Sequence, residues 1–314
     1  MSDLLRRALP VYGLPEDTPL TLLNRSENET WAAGGLILRL HRQGYHTRAE
    51  IASELTWLSA LQTLPGLNVV QPITGAQGLV TEIDTRVLVA FAPIKGQELQ
   101  PGHDLARWFA PLGEITARLH LHARHWTPPQ GFTRKRWDVD TILGPQPHWG
   151  HWRQAQGLDR TGAALLARAT DALAAQLDAY GTGPETFGLI HADLRLANLM
   201  VDGDRLTAID FDDCGFGWWA YDLAAALSFI ETDPRLPDLI ARWIEGYTRI
   251  APLRPEDRAM IPSLIFLRRV LLTAWLASRA DSDTAEALGG PEYTLGTLEL
   301  AEAYLVDGLQ RLCP

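Results

Sequence analysis

The spacing of apolar residues in the first ninety positions predicts a small sheet with one helix packed on it. Five β-prone runs are predicted as strands: 19–24, 29–33, 36–41, 78–83 and 86–91. Turn residues at 25–28 and 34–35 separate the first three runs. Between the third and fourth runs, residues 47–61 place apolar side chains at helical spacing. This helix begins with Thr47 and Glu50 in the Thr-x-x-Glu form of a capping box.

Helical periodicity dominates the chain after residue 92. Helices are predicted at 104–124, 159–179, 219–230, 236–249, 255–280 and 291–311. The stretch 128–158, rich in Pro, Trp, His and Gly, is predicted to be irregular. Asp202-Gly203-Asp204 is predicted to join two short strands as a hairpin turn. We therefore predict an α+β chain with a β-rich lobe at 1–92 and a mainly helical lobe at 93–314.

The stretch FGLIHADLRLANLMVDGDRLTAIDFDD, residues 187–213, carries the candidate chemistry. It has the order His-x-Asp-Leu-x-x-x-Asn, followed by a hydrophobic strand that ends in Asp-Phe-Asp. Kinase-type phosphoryl transfer needs a carboxylate for the attacking hydroxyl and oxygen ligands for Mg²⁺. This spacing matches the kinase pattern. We predict Asp193 as the catalytic base, Asn198 and Asp210 as magnesium ligands, and a structural role for His191.

The composition of the chain disfavours some classes of binding partner. The 314-residue chain has a formal net charge of −10 and a pI of about 5.4, so it is a poor match for nucleic acid or anionic lipid. Cys214 and Cys313 lie far apart without a metal-ligand spacing, which favours a reducing compartment. The apolar stretch 260–277 is interrupted by Arg268 and Arg269, which predicts a buried helix and not a membrane span. A soluble cytoplasmic protein is expected.

The motifs HADLRLANLM, IDFDD and WWAYDLAAAL resemble those of the aminoglycoside phosphotransferase/choline kinase-like group of the protein-kinase-like superfamily. The similarity is nearest to the homoserine-kinase-type and stress-response Ser/Thr kinase (RdoA-like) branch, and it covers nearly the whole chain. It implies a bilobal protein-kinase-like fold. It also implies ATP and Mg²⁺ as the cofactors of transfer to a hydroxyl group.

The resemblance also assigns residues of the first lobe. Arg39 falls where the family usually has a phosphate-pairing lysine, and Glu54 where the helix glutamate that pairs with that cation lies. An edge-strand surface arginine is the alternative for Arg39. Glu50 is the alternative for Glu54, although the capping box already uses it.

The nucleotide is further expected to contact a turn and a hinge. Ser26 and Asn28 belong to the turn at 25–28 that covers the phosphates, in place of a glycine-rich loop. Phe91, Ala92 and Ile94 occupy the hinge that meets the adenine through backbone groups.

Several residues near the motif keep two interpretations. Asp212 and Asp213 either assist metal binding or cap the next helix, the second being favoured for Asp213. Asp222 resembles the aspartate that buttresses the catalytic loop, a structural role. The histidines and tryptophans of 120–152 lack a zinc-type ligand set. Four tryptophans form either a substrate-side wall or simple packing: Trp126, Trp137, Trp149 and Trp152.

The sequence allows two classes of phosphate acceptor: a small metabolite, which is favoured, and a Ser or Thr residue of a protein. The metabolite would be of the homoserine, amino alcohol or aminoglycoside type. A catalytically silent kinase-like binding protein is the alternative from another class, because the glycine loop and the strand lysine are missing.

Overall fold

The computed structural model describes residues 2–25, 28–280 and 287–312, and the chain divides into two compact units. The first unit comprises Met1–Glu98, Thr127–Lys135 and Met200–Asp212. The second comprises Leu99–Trp126, Arg136–Leu199 and Asp213–Pro314. Sheets and helices coexist, so the predicted α+β class is confirmed.

The first unit is built on an antiparallel sheet of order β1-β2-β3-β6-β4, with β5 paired to β6. The strands are β1 (Leu20–Arg25), β2 (Glu29–Ala33), β3 (Leu36–Leu40), β4 (Pro72–Ile73), β5 (Thr81–Ile83) and β6 (Arg86–Phe91). The five predicted strands are all present. β4 was not predicted, because a strand of two residues is too short to show a period.

The amino-terminal helix α1 (Ser2–Ala8), also absent from the sequence prediction, packs on this sheet. Leu5 and Leu9 join Leu38, Leu40 and Leu88 in one fully buried cluster. Alternate residues of a strand point to opposite faces. Arg39, which lies between Leu38 and Leu40 on β3, therefore faces the other side of the sheet.

Helix α2 (Arg48–Leu61) begins as the sequence predicts. The Thr47 hydroxyl accepts the Glu50 backbone N–H at 3.2 Å, and the Glu50 carboxylate accepts the Thr47 N–H at 2.7 Å. This capping box is worth about 1 kcal/mol to the helix. It also fixes where the helix starts, and hence which later residues share a face.

Two segments distant in sequence join the first unit through backbone pairing and hydrogen bonds. β10 (Leu199–Asp202) and β11 (Arg205–Ala208) form the predicted hairpin, and β7 (Gln97–Glu98) pairs with β10. In the segment 127–135, the Thr133 N–H donates to Ser53 Oγ of α2 at 2.9 Å. A single boundary after residue 92 does not include these two segments in the first unit, because they join it through contacts between residues distant in sequence.

The second unit is mainly helical. Its helices are α3 (Leu105–His125), α4 (Val139–Ile142), α5 (Arg160–Tyr180), α6 (Tyr221–Ala226), α7 (Leu236–Ile250), α8 (Pro255–Ser278) and α9 (Gly290–Asp307). A small sheet of order β8-β12-β9 joins β8 (Arg136–Trp137), β12 (Gly215–Trp218) and β9 (Phe187–Ile190). α3 and α7 approach closely at Gly246, where a Cβ atom would lie 1.9 Å from the Ala110 carbonyl oxygen.

Helix α8 is the core helix of the second unit. By length and composition it is the one described helix that could cross a membrane, but 89% of its most apolar window is buried inside the protein. The prediction of a buried helix is confirmed. The helix predicted at 219–230 is shorter, because α6 ends at Ala226 and Phe229 takes a left-handed backbone conformation with φ 68°.

Candidate active site

A buried ion pair joins β3 to α2. Arg39 lies on the face of the sheet opposite to helix α1. Its Nη2 donates to both carboxylate oxygens of Glu54, at 2.5 and 2.6 Å. Glu54 is fully buried and Arg39 is 5% exposed. Burial alone would lower the pKa of Arg39. The carboxylates of Glu54, Asp212 and Asp210 outweigh it and raise the pKa above its ordinary value, so the guanidinium stays charged.

These contacts decide between the alternatives for both residues. β3 lies between β2 and β6, so Arg39 is on a central strand and is not a surface arginine of an edge strand. Glu50 is engaged in the capping box, whereas Glu54, one turn later, meets Arg39. The role of this pair in nucleotide binding stays a prediction.

The Asp-Phe-Asp turn after β11 aims two carboxylates at the same guanidinium. Phe211 is buried, and its ring packs edge-on against Trp57 of α2 with 5.5 Å between centroids. Asp210 Oδ1 accepts from Arg39 Nη1 at 3.1 Å, and Asp212 Oδ1 lies 3.8 Å from Arg39 Nη2. Asp210 has φ 58°, a left-handed conformation that non-glycine residues adopt mainly in turns. Its side chain is 44% exposed, so it remains accessible to a ligand.

Asp212 holds Asn28 at this site. Asn28 Nδ2 donates to Asp212 Oδ2 at 2.8 Å, and Asn28 Oδ1 accepts the Arg42 N–H at 3.0 Å. Ser26 lies outside the described residues. The suggestion that Asp212 or Asp213 caps the next helix is wrong, because Ala220 is the N-cap residue of α6 and gives no side-chain cap.

Two buried histidines flank Asp212. His41 Nδ1 lies 3.5 Å from Asp212 Oδ1, and His46 Nε2 lies 3.5 Å from Asp212 Oδ2. Burial alone would raise the pKa of Asp212, but the Arg39 charge and the His46 contact hold it well below its usual value. His41, Glu54 and Asp212 have the donor types of a metal site, but the Arg39 guanidinium already occupies Glu54 and supplies the positive charge.

We expect His41 to make the free energy of unfolding sensitive to acid. Burial, and then the Arg39 charge, lower the pKa of folded His41 to about 3, with His46 and Arg134 acting in the same direction and Asp212 opposing them. The unfolded imidazole binds a proton near pH 6.5 and the folded one does not, so stability falls as pH falls through the window from about 6.5 to 3. Between pH 7.5 and 5 this term is about 2 kcal/mol.

The measurement is urea unfolding of the wild type and of His41→Gln at both pH values. The variant should lose about 2 kcal/mol less than the wild type on acidification. His125→Gln, at an exposed histidine, is the matched control and should leave the difference between the two pH values unchanged. An unaltered pH dependence in His41→Gln would contradict the assignment.

The predicted hinge begins at the end of β6. The Phe91 ring lies under the Arg39 guanidinium, with 5.0 Å from Cζ to the ring centroid. The Ala92 N–H donates to the Gln71 carbonyl at 2.9 Å, so that donor is already used. Ile94 follows in a half-buried, irregular segment. The adenine contact predicted for these three residues therefore depends on groups other than the Ala92 N–H.

The loop after β9 is held in a strained conformation by Asp222 of α6. Ala192 has φ 66°, in the left-handed region. Its N–H donates to Asp222 Oδ1 at 2.7 Å, and the His191 N–H donates to Asp222 Oδ2 at 3.1 Å. His120 Nε2 lies 3.1 Å from the same Oδ2, and its Nδ1 lies 3.0 Å from the Tyr247 hydroxyl. Asp222 is thus a buried buttress of the loop.

Asp193 projects from this loop with both carboxylate oxygens engaged. Asn198 Nδ2 donates to Asp193 Oδ2 and to the Asp193 carbonyl, each at 2.8 Å, and Arg195 Nε donates to Oδ2 at 3.3 Å. Arg268 Nη2 donates to the other oxygen, Oδ1. His191 Nδ1 accepts the Asp193 N–H at 3.3 Å. Asp193 and Asn198 are therefore in direct contact, and the amide nitrogen of Asn198 is the atom committed to the contact.

Arg268 contacts the site but was not among the residues predicted from the sequence, nor were His41 and His46. The only signal for Arg268 was an arginine inside an apolar helical run, which identified a buried helix without indicating what the arginine contacts. α8 lies far along the chain from the loop, so no local pattern connects them.

The tryptophans of residues 126–152 mostly pack inside the protein. Trp137, Trp149 and Trp152 are at most 6% exposed, whereas Trp126 is half-buried. The Trp137 ring meets Trp149 edge-on at 5.2 Å, and its indole N–H donates to the Asp213 carbonyl at 2.9 Å. Within the described part of the chain, the histidines of this segment form no cluster of metal-ligand atoms.

A buried arginine–glutamate pair on a central strand, an Asp-Phe-Asp turn and a carboxylate on a buttressed loop define a kinase of the protein-kinase-like class. The sequence matches the phosphotransferase enzyme family (APH) over residues 21–259, and the chain belongs to this family. The predicted family and the predicted kinase-like fold are confirmed.

Solved structures and relatives agree on small-molecule kinases. The microcompartment-associated aminopropanol kinase superposes with a TM-score of 0.90 and 43% identity, covering 98% of both chains. An amicoumacin kinase in complex with AMP-PNP, Ca²⁺ and Ami shares the fold, with a TM-score of 0.75, 21% identity, and 94% and 92% of the two chains covered. Homoserine kinase of Caulobacter sp. (strain K31) is 35% identical over 192 residues, 57% of this chain and 55% of that protein. The chain is a kinase that phosphorylates hydroxyl groups of small molecules.

Proposed function

We propose that this enzyme transfers the γ-phosphate of ATP, with Mg²⁺, to the hydroxyl group of a small amine-bearing alcohol. The observation that carries the proposal is the Asp193 carboxylate, oriented by Asn198 and Arg268 on a buttressed loop. Similarity to an aminopropanol kinase over 98% of the chain supports the acceptor class. We also propose a cytoplasmic location, as expected of a metabolic kinase.

Asp193 has the chemistry of the general base. It orients the acceptor hydroxyl and takes its proton as the oxygen attacks the γ-phosphorus, and ADP leaves. The contacts to Asn198 and Arg268 restrict the carboxylate to one orientation. Such positioning is a large part of catalysis in phosphoryl transfer.

Asn198 and Asp210, the proposed magnesium ligands, each offer an oxygen atom of the kind that a hard cation prefers. The Asn198 amide nitrogen is used by Asp193, which leaves its carbonyl oxygen as a donor, and the Asp210 carboxylate is partly exposed. Carboxylate and amide oxygens are suitable Mg²⁺ ligands. When bound, Mg²⁺ would neutralise charge on the transferred phosphates.

The first unit has groups suited to the nucleotide. Arg39 can pair with phosphate oxygens, and Glu54 holds it in place. Asn28 donates a hydrogen bond to Asp212, and Ser26 stays a proposed phosphate contact. Phe91, Ala92 and Ile94 stay the proposed hinge for the adenine.

A coupled ADP-release assay tests the function. The acceptors are 1-amino-2-propanol, ethanolamine, homoserine, an aminoglycoside and a generic protein substrate. Asp193→Asn is the low-activity comparison, and EDTA followed by Mg²⁺ or Ca²⁺ tests the metal. We expect metal-dependent turnover to be fastest on an amino alcohol.

The other outcomes are equally informative. Turnover on the protein substrate alone would replace the proposal by a Ser/Thr protein kinase. Calorimetric binding of Mg-ATP without turnover on any acceptor would indicate a catalytically silent binding protein. Turnover that survives EDTA would contradict the metal role of Asn198 and Asp210.

A further inference from the structure

Arg268 is a buried cation whose contacts converge on the loop that carries Asp193. Its guanidinium is 1% exposed in the apolar helix α8. Nη2 donates to Asp193 Oδ1, Nη1 donates to the Ala192 carbonyl at 3.3 Å, and Nε donates to Ser228 Oγ at 2.8 Å. The Tyr221 hydroxyl lies 3.4 Å from Nη1.

Burying a guanidinium is costly unless charge and hydrogen bonds offset the lost hydration. Hydrophobic residues of similar volume often stabilise a core at least as well as a buried ion pair. Stability alone is therefore a weak reason for an arginine at this place. The contacts with Asp193 and Ala192 suggest a different reason.

Ala192 is clamped from both sides. Its N–H is held by Asp222 and its carbonyl by Arg268, and between these contacts the residue takes φ 66°. A left-handed alanine is strained and persists only where its surroundings determine it. The next residue in the chain is Asp193, so the backbone clamp sets the direction in which its side chain leaves the loop.

The carboxylate is held in a second way. Arg268 takes Oδ1, while Asn198 and Arg195 take Oδ2. The plane of the carboxylate is therefore determined by donors at both ends. Trp149 lies on the guanidinium, with 5.2 Å from Cζ to its ring centroid, and Trp149 is 6% exposed. This ring keeps water from Arg268, which strengthens its charge-assisted hydrogen bonds.

We propose that Arg268 is a positioning residue for phosphoryl transfer, which acts through Asp193 by fixing both the Ala192 backbone and the carboxylate. The inference rests on the proposed role of Asp193 as the base. It also gives Trp149 a function, because this ring covers the positioning arginine.

The neighbouring Arg269 provides a matched control. It is equally buried, at 4% exposed, and lies on the same helix. Its guanidinium donates to Glu231 Oε2 at 2.9 Å, Thr297 Oγ1 at 2.8 Å and the Tyr293 carbonyl at 2.7 Å. None of these groups belongs to the loop that carries Asp193.

The experiment compares Arg268→Lys with Arg269→Lys. Displacement of a catalytic group by about 1 Å can cost about a hundredfold. We expect Arg268→Lys to lower kcat at least about thirtyfold, with KM for ATP within about threefold of wild type. Arg269→Lys should keep kcat near wild type, whatever its effect on Tm. Methylguanidinium should restore part of the kcat of Arg268→Ala, which a merely structural defect would not allow.

A double-mutant cycle decides whether Arg268 acts through the base. In an Asp193→Asn background, Arg268→Lys should cost less than about threefold. The inference is overturned by any of three results: kcat of folded Arg268→Lys within about threefold of wild type, an equal loss in Arg269→Lys, or an undiminished loss in the Asp193→Asn background.

Failure of the proposed function is a separate result. If the wild type turns over no acceptor, the function is wrong, and the positioning role is then decided by a crystal structure of Arg268→Met. Ala192 should leave its left-handed conformation or the Asp193 carboxylate should rotate. A loop that superposes on the wild type would overturn the inference.

Discussion

Replacing Asp193 by asparagine is expected to lower kcat by at least about a hundredfold while Mg-ATP binding stays within about threefold of wild type. Asparagine keeps the size of the side chain but cannot accept the hydroxyl proton. It also presents an amide to Arg268 and Asn198, which both donate to the carboxylate. ADP release measures kcat, and calorimetric titration with Mg-ATP measures binding.

Asp204→Asn serves as the control for this prediction. Asp204 lies exposed in the hairpin turn that follows the loop in the sequence. It should retain kcat within about twofold of wild type, as expected of a surface substitution. Full activity in Asp193→Asn would remove the assignment of the base. Loss of Mg-ATP binding together with kcat would point to a collapsed site.

The second large effect is expected on stability. Arg39→Met should lower the free energy of unfolding by about 3–5 kcal/mol, because it leaves the fully buried Glu54 carboxylate without its compensating charge. Asp212, also buried, loses a nearby cation in the same variant. Urea unfolding followed by tryptophan fluorescence measures the loss.

Two further variants make this prediction specific. Arg7→Met removes a similarly short pair, 2.6 Å from Asp84, but both side chains are more than half exposed. It should lower the free energy of unfolding far less than Arg39→Met does, because solvent screens an exposed pair. Combining Arg39→Met with Glu54→Leu should recover most of the stability, because the buried charge is then removed as well. An Arg39→Met variant as stable as Arg7→Met would contradict the explanation.

Arg39→Lys separates stability from nucleotide binding. A lysine keeps the charge but not the planar fork, so it should retain most of the stability. Because Arg39 is proposed to pair with the phosphates through this fork, we expect Mg-ATP to bind the variant more weakly than the wild type. Unchanged affinity for Mg-ATP would show that phosphate binding does not need the planar fork of Arg39.

Glu54 shows what local sequence patterns can and cannot predict about side-chain partners. The Thr-x-x-Glu pattern already assigned Glu50 to the helix start, and helical geometry then left Glu54 one turn later for another partner. For Arg39, the sequence showed a strand but not the neighbours of that strand. The sheet order places β3 between β2 and β6, and this position is why Arg39 is buried.

The tryptophans show where composition is ambiguous. An aromatic-rich segment fits a ligand wall and internal packing equally well, because a tryptophan ring suits both environments. Only the contacts of Trp137 and Trp149 with each other, and of Trp149 with Arg268, assign these rings to packing.

The sequence by itself determined the type of chemistry. Asp193, Asn198 and Asp210 were predicted as site residues from their order and spacing, and the capping box and the hairpin turn depend on residues only a few positions apart. Such features are local, so the sequence is sufficient to predict them. The tertiary structure decided which buried charges meet: Arg39 with Glu54, and Arg268 with Asp193. The physical reason is that a buried charge needs a partner close in space, and the packing of distant elements chooses that partner.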